Sequence, residues 1–193
     1  FCYGGSTATN HTQLVHMEGV GRYEIVGITC DDAAGEACDK IGKLLGLPFP
    51  GGPAIERSAR EGNAAAYDFP RGLRRSGRCD FSFSGLKTAV RLKGEAFEEI
   101  TPRVVADVAA SAQEAIVDSL VEKSILAARK RSARRLYLAG GVASNGRLRE
   151  VMKERFAPSG VEVAWPRPEY CTDNAAMIAC AAFYHIRAGL VDG

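Results

Sequence analysis

The residues with the clearest chemical potential lie in the last third of the chain, where an apolar segment runs into two glycines. Residues 136–139 are followed by Gly140 and Gly141 and, four residues later, by Asn145. Because glycine has no side chain, a flat ring or a phosphate can approach the backbone at the carboxyl end of a strand, where open α/β sheets bind ligands. The segment predicts a nucleotide site, although a strand followed by Gly-Gly is also an ordinary tight turn.

Three carboxylates are candidates for the polar groups of such a site. Asp39 falls on the polar side of a predicted helix, and Glu56 comes four residues after Gly52 in the first turn of another. Either could accept hydrogen bonds from ribose hydroxyls, and either could equally be a solvated surface group. Thr172 or Asp173 could cap the following helix of small residues. Asp173 could instead supply one oxygen ligand to a divalent cation that would need three further donors.

Histidine and cysteine form no recognisable metal-binding or catalytic pattern. His11 and His16 are five residues apart, which predicts opposite faces of a strand, and His185 comes late in a predicted helix. The six cysteines contain no C-x-x-C pair, so neither a zinc ribbon nor a redox dithiol is indicated. Neither H-E-x-x-H nor a Ser/His/Asp arrangement is recognisable, which disfavours a peptidase.

Length and composition indicate one globular domain or one large lobe. The chain has 193 residues, 46% of them hydrophobic, and a formal net charge of +2. Any RNA contact must therefore come from local basic clusters, at 71–78 and 129–135, which could also be solvated faces. No apolar run approaches eighteen residues and no signal sequence is visible, so we expect a cytoplasmic protein without membrane contact. The first residue is Phe1 and not Met, so we expect an upstream portion to have been removed.

The elements that must position these residues alternate between strand and helix patterns. An antiparallel hairpin is predicted over 13–29 and a helix from the acidic pair 31–32 to residue 45. A turn over 49–53 precedes a short helix at 54–60, and 81–85 is predicted as a strand. The remaining predictions are a helix at 103–129, a strand at 135–139, a helix at 144–156, a strand at 161–165 and a helix at 174–187. This order favours an α/β fold.

Six segments, in this order, resemble the tRNA threonylcarbamoyladenosine transferase family, formerly named O-sialoglycoprotein endopeptidases, of the actin, Hsp70 and sugar-kinase superfamily. The segments are DDAAGEA at 31–37, DK at 39–40, PGGP at 50–53, FSFSGLKTA at 81–89, AGGVASN at 139–145 and CTDNAAM at 171–177. Six collinear matches across almost the whole chain are far more specific than any one of them.

The resemblance implies an α/β, actin-like ATPase (ribonuclease H-like) fold. This chain would be mainly the second lobe, with the N-terminal lobe largely missing. Residues 1–172 would form the nucleotide-binding lobe, and the helix within 173–193 would pack towards the missing lobe.

The resemblance also implies transfer of a threonylcarbamoyl group from threonylcarbamoyl-AMP to adenosine 37 of tRNAs that read codons beginning with A. The residues implied to bind the adenylate are Gly4, Gly5, Asp39, Gly52, Glu56, Gly140, Gly141 and Asn145. Asp173 would bind one divalent metal ion, iron or zinc, and no nucleophilic side chain is assigned. The implied partners are tRNA, threonylcarbamoyl-AMP or ATP and ADP, a small paralogous subunit and an accessory ATPase.

The sequence departs from the family in two places. Residues 6–10 separate Gly4 and Gly5 from His11, which would displace either the glycine pair or the histidine from the ligand. The H-x-x-x-H pair that supplies two metal ligands in the family is missing upstream, so the polypeptide as given is predicted to be inactive and metal-free.

Two other functions remain open at this point. A kinase or ATPase of the same superfamily would share the Gly-Gly nucleotide site, but the segments at 31–37 and 81–89 argue against it. A non-catalytic paralogue acting as a scaffold would be expected to lack the equivalents of Asn145 and Asp173, and both are present here.

Overall fold

A computed structural model describes residues 2, 3 and 11–190 of the chain. The strands within this part are β1 (Cys2–Tyr3), β2 (Gln13–Gly19), β3 (Arg22–Ile28), β4 (Arg135–Leu138) and β5 (Glu162–Ala164). The α-helices are α1 (Ala34–Leu44), α2 (Gly51–Ala59), α3 (Ser84–Glu95), α4 (Pro102–Lys130), α5 (Gly146–Phe156) and α6 (Ala175–Arg187). Short 3₁₀ helices cover Gly141–Ser144, Ala157–Ser159 and Pro168–Tyr170.

The strands form one mixed sheet in the order β3-β2-β1-β4-β5. β2 pairs antiparallel with both β3 and β1, whereas β1, β4 and β5 run parallel to one another. An antiparallel hairpin continued by parallel strands is the arrangement of ribonuclease H-like folds. Because β1 and β4 are parallel neighbours, their carboxyl ends meet at one edge of the sheet, where ligands bind in such folds.

The long helix α4 forms the centre of the core. Thr101 caps its first turn by accepting from the Val104 amide at 3.3 Å, and Pro102 follows at the first helical position. Its middle turns are dominated by buried small residues, so α2, α3 and α5 pack closely against it. None of the helices between residues 11 and 190 is both long and apolar enough to cross a membrane.

Lys123 of α4 is 3% exposed and holds the basic loop over 71–78 against this helix. Its Nζ donates to the carbonyl oxygens of Leu73 and Arg78 at 2.6 and 2.7 Å. Burial lowers the pKa of the Lys123 ammonium, and the oxygens around it replace the water it has lost. Lys130 of the second basic cluster donates to the Gly77 carbonyl oxygen at 2.7 Å, so the two basic clusters of the sequence are neighbours in space. Arg71 and Arg74 of the first cluster form ion pairs with Asp118 and Glu122 of α4.

The structure changes four details of the predicted elements. The glycines of the 49–53 turn form the first turn of α2, and the segment at 81–85 is not a strand: only Phe81 bridges to Thr29 before α3 begins. Asn145 is the N-cap of α5 and lies outside its first turn. The cap of α6 is Asn174, whose Oδ1 accepts from the Met177 amide at 3.0 Å, and not residue 172 or 173. In each case a polar or glycine residue defines a boundary that apolar periodicity does not mark.

Candidate nucleotide site

A cavity of about 370 Å³ lies between α1, α2, α4, the 3₁₀ helix after β4 and the start of α5. The residues that the sequence singled out and that line this cavity are Asp39, Gly52, Glu56, Gly141 and Asn145. Its apolar wall consists of Ile55, Ile116, Val117, Leu120 and Leu148. A pocket with an apolar wall and a few polar groups has the size and character of a small-molecule site.

The two glycines at the start of α2 have different roles. A Cβ on Gly51 would lie 2.5 Å from the Cα of Asp39 and 2.6 Å from the carbonyl oxygen of Cys38, so only glycine lets α2 approach α1 this closely. A Cβ on Gly52 would meet no atom within 4 Å. Gly51 therefore serves packing, whereas Gly52 leaves open space at the cavity.

The two cavity carboxylates each hold the start of a helix. Asp39 Oδ1 accepts from the Gly51 amide at 2.7 Å, and Glu56 Oε1 accepts from the Gly146 amide at 3.0 Å. A negative charge at a helix N-terminus is favourable because it meets unpaired amides and the positive end of the helix dipole. The second oxygen of each carboxylate accepts no hydrogen bond from any residue between 11 and 190, which leaves it for a ligand.

Asn145 joins the glycine turn to two helices. Gly140 has a φ of 86°, a backbone conformation that favours glycine, and it turns the chain from β4 towards the cavity. Asn145 Oδ1 then caps α5 by accepting from the Leu148 amide at 2.9 Å. Its Nδ2 donates to Oε1 of Gln113 on α4 at 2.9 Å.

Asp31 organises the FSFSG segment without lining the cavity. Its carboxylate accepts from the amides of Phe83 and Ser84 and from the hydroxyls of Ser82 and Ser84, at 2.5 to 3.2 Å. Partial burial raises the pKa of this carboxyl, but the four hydrogen bonds outweigh it and the pKa lies below its ordinary value. The acidic pair at 31–32 thus anchors the start of α3, and Asp32 binds Lys40 at 2.6 Å.

Asp173 is exposed and is not one of the residues that line the cavity. The preceding Thr172 is a lining residue. Arg149 ties this segment to the glycine turn, because its Nε donates to the Ala143 carbonyl at 2.6 Å and its Nη2 lies 3.5 Å from Cys171 Sγ.

A metal site needs more than Asp173. No three His, Cys, Asp or Glu side chains come together as possible ligands within the described part of the chain.

Some of the predicted site residues lie outside the described part of the chain, and some residues of the cavity were not predicted. Gly4 and Gly5, with the insertion over 6–10, lie outside the described residues. His11, which the resemblance places at the ligand unless the insertion displaces it, lines the cavity. The sequence did not indicate that Cys38 or Gln113 would line it, and Gln113 carries no local signal because other polar residues also lie beside the apolar stripe of α4.

Burial, with the Asp39 charge as a second cause, raises the pKa of the Cys38 thiol to about 12. Cys38 is therefore a packing residue at neutral pH and not a nucleophile, because the thiolate is the reactive form of cysteine.

The sequence of the chain is similar to those of one family of known proteins. Residues 7–180 match the family model described as "tRNA N6-adenosine threonylcarbamoyltransferase". Proteins of that name from Paracidovorax citrulli and Desulfitobacterium hafniense are 52% and 51% identical over 179 and 181 residues, which are 93% and 90% of this chain. In each case the match covers 51% of the relative, so the chain spans about half the length of the curated relatives it matches.

A solved structure supports the fold independently. The crystal structure of T. kodakarensis HypF superposes with a TM-score of 0.54 at 20% identity, covering 85% of this chain and 21% of that one. At this identity the likeness concerns the fold alone. On the family match over most of its length, the chain belongs to the tRNA N6-adenosine threonylcarbamoyltransferase family.

Proposed function

We propose that this chain is the nucleotide-binding lobe of a transferase that moves a threonylcarbamoyl group from threonylcarbamoyl-AMP to N6 of adenosine 37 in tRNAs reading codons that begin with A. The family membership supports this reaction, which would occur in the cytoplasm and in the longer protein. In it N6 attacks the carbamoyl carbon and a C–N bond forms. The C–O bond to phosphate breaks, AMP leaves with the electron pair, and N6 loses a proton.

The observation that supports the proposal is that the two oxygens of each cavity carboxylate have different roles. One carboxylate oxygen of Asp39 and one of Glu56 accept from the amides at the starts of α2 and α5, at 2.7 and 3.0 Å. The second oxygen of each carboxylate is available to a ligand. Ribose hydroxyls are hydrogen-bond donors, so fixed carboxylate oxygens suit them, and the apolar wall suits a flat base. Positions held this firmly before binding reduce the entropic cost of ordering a ligand.

We further propose that Asp173 contributes one ligand to an iron or zinc ion whose other ligands belong to the missing half, where the family has H-x-x-x-H. The position of the preceding residue supports this role, because Thr172 lines the cavity. When bound, such an ion supplies Lewis-acid polarisation. The chain's own contribution is to hold and orient the adenylate.

Helix α6 supports the lobe assignment. All of its residues except His185 are exposed, including Met177, Ile178 and Phe183 at 50 to 66%. Exposure of apolar surface to water has a free-energy cost of about 25 cal/mol per Å², so the apolar side chains of α6 need a partner surface. We propose that the missing lobe of the longer protein covers α6, and that a small paralogous subunit and an accessory ATPase complete the assembly.

Binding of AMP to the chain, measured by titration calorimetry, tests the nucleotide assignment. We expect Asn145→Ala to raise the Kd at least tenfold, because it removes a cavity donor as well as a cap. Asn174→Ala is the matched control, since Asn174 caps α6 in the same way but lies outside the cavity wall. Each substitution should lower the stability by about 1 kcal/mol.

Two results would contradict the proposal. Absence of AMP binding to the folded wild-type chain up to millimolar concentration would favour a non-catalytic scaffold. An equal loss of affinity in both asparagine variants would show that the effect comes from helix capping and not from the cavity.

A further inference from the structure

Gln113 is a polar residue on the wall of the cavity that the proposed reaction has not yet used. It lies on α4 one turn before Ile116 and Val117, which line the same cavity. Gln113 is only partly buried, so its side chain is accessible from the cavity. A lone amide beside an apolar wall is a group that can orient a ligand.

The orientation of the Gln113 amide follows from a chain of hydrogen bonds. The Asn145 oxygen must face the α5 amides, since it accepts from Leu148 N at 2.9 Å. The nitrogen of Asn145 is then the end that faces Gln113, and it donates to Gln113 Oε1 at 2.9 Å. The network therefore assigns which end of each amide is oxygen.

This assignment leaves Gln113 Nε2 as the end that is available to a ligand. No residue between 11 and 190 accepts a hydrogen bond from it. The frame around it is rigid, because Arg147 of α5 forms a bidentate ion pair with Glu114 of α4, both contacts being 2.9 Å. The donor is thus held between two helices that are fixed to each other.

The donor complements the other polar groups of the cavity. Asp39 and Glu56 are acceptors and suit ribose hydroxyls, whereas the ring nitrogens of a purine are acceptors and need a donor. A neutral amide supplies one without the cost of burying a charge. We infer that Gln113 donates a hydrogen bond from Nε2 to a ring nitrogen of the bound adenine. This inference rests on the proposed nucleotide site and adds the residue that recognises the base.

The loss of this bond has a measurable consequence. A buried acceptor left without its partner is costly, and pockets built to hydrogen-bond a ligand discriminate strongly against analogues that lack the partner. We therefore expect removal of the donor to weaken binding of the base by about tenfold to a hundredfold.

Adenosine binding to three forms of the chain separates recognition from positioning. Uncharged adenosine is the probe, so repulsion of a phosphate plays no part. Gln113→Met removes both ends of the amide at similar volume. Gln113→Glu keeps the oxygen that accepts from Asn145 and replaces only the donor end. Both variants should raise the Kd at least tenfold, while Gln113→Glu retains the wild-type thermal midpoint within about 2 °C.

Analogues with one ring nitrogen deleted identify the partner atom. With 1-deaza-, 3-deaza- and 7-deazaadenosine, we expect one analogue to bind the wild-type chain weakly and to lose no further affinity in Gln113→Met. Unchanged adenosine affinity in Gln113→Glu would overturn the inference, since Gln113 would then only position Asn145. An equal Gln113→Met effect on all three analogues would overturn it as well.

Failure of the proposed function gives a different result. If the wild-type chain binds neither AMP nor adenosine, the nucleotide site itself is wrong. If the wild-type chain binds both and the Gln113 variants bind equally well, the nucleotide site stands and only the role of Gln113 is wrong.

Discussion

The wall of the cavity and helix α6 differ in how far their side chains are already engaged. In the wall, Asp39 and Glu56 each hold the start of a helix and still present a second oxygen to the cavity, and Asn145 caps α5 while it binds Gln113. In α6 the polar cap Asn174 is engaged, but the apolar side chains face solvent. The polar contacts of the first region are made within this chain, whereas the apolar side chains of the second are exposed and are proposed to pack against another surface. Substitutions should therefore affect stability strongly in the wall and weakly in α6.

A large loss of stability is expected from Gly51→Ala. The added methyl would lie 2.5 Å from the Cα of Asp39, so α1 and α2 must move apart at a cost of about 2 to 3 kcal/mol. Gly52→Ala is the matched control, because its methyl meets nothing within 4 Å, and we expect a change within about 0.5 kcal/mol. Urea unfolding measures both. Equal stability of the two variants would show that the close approach of α1 and α2 is not needed.

The same chemical group can be compared directly between the two regions, since Cys38 lies in the wall and Cys180 in α6. A pKa raised to about 12 from 9.0 reduces the thiolate fraction of Cys38 at pH 8 by about a thousandfold. With iodoacetamide at pH 8 we expect Cys180 to be alkylated and Cys38 to remain free until urea is added, as read by mass spectrometry. Similar alkylation rates of Cys38 and Cys180 in the folded chain would contradict the expected difference in thiolate fraction between the cavity wall and α6.

Asp31→Asn tests the hydrogen bonds that hold the start of α3. Loss of the charged acceptor of four hydrogen bonds should cost about 1 to 2 kcal/mol. The folded-state pKa of Asp31 lies below the ordinary value of 3.8, so its stabilising contribution is full above that value and is lost as the pH falls through the lowered pKa. The stability gap between wild type and Asp31→Asn should thus be constant above about pH 5 and narrow at lower pH. Urea midpoints between pH 3 and pH 6 measure the gap, and a gap independent of pH would exclude this role.

The sequence predicts the elements of this fold better than their boundaries. The hairpin, the long helix and the final strand–helix alternation follow from apolar periodicity, which reports the buried face of each element. The true start of α2 at Gly51 could not be predicted in this way, because it depends on contact with Asp39, twelve residues earlier. The role of Asp31 likewise depends on residues about fifty positions later.

The cavity residues were predicted through the family resemblance and not through local pattern. Asp39, Glu56 and Asn145 could each be explained as a surface group or a helix cap. Only their position around one cavity indicates a ligand site. Gln113 was missed because α4 was considered as a stripe of apolar residues, in which a single polar residue carries no distinctive spacing. Its contact with Asn145 joins positions 32 residues apart, which periodicity cannot report.

The smallest effect is expected in α6, and it separates the two regions most clearly. Ile178 and Ile186 are 66% and 64% exposed, so their replacement by serine removes little buried surface and should change the stability of this chain by less than about 0.5 kcal/mol. Ile55→Ser, at a wall residue that is 1% exposed, is the control and should cost about 3 kcal/mol or more.

Urea unfolding provides both values, and light scattering should show less self-association of the α6 variants, because the apolar patch is smaller. Comparable destabilisation by the α6 and Ile55 substitutions would mean that α6 already packs within this chain. In a longer chain that carries the lobe proposed to cover α6, the same α6 substitutions should become destabilising, because the surface they alter would then be buried.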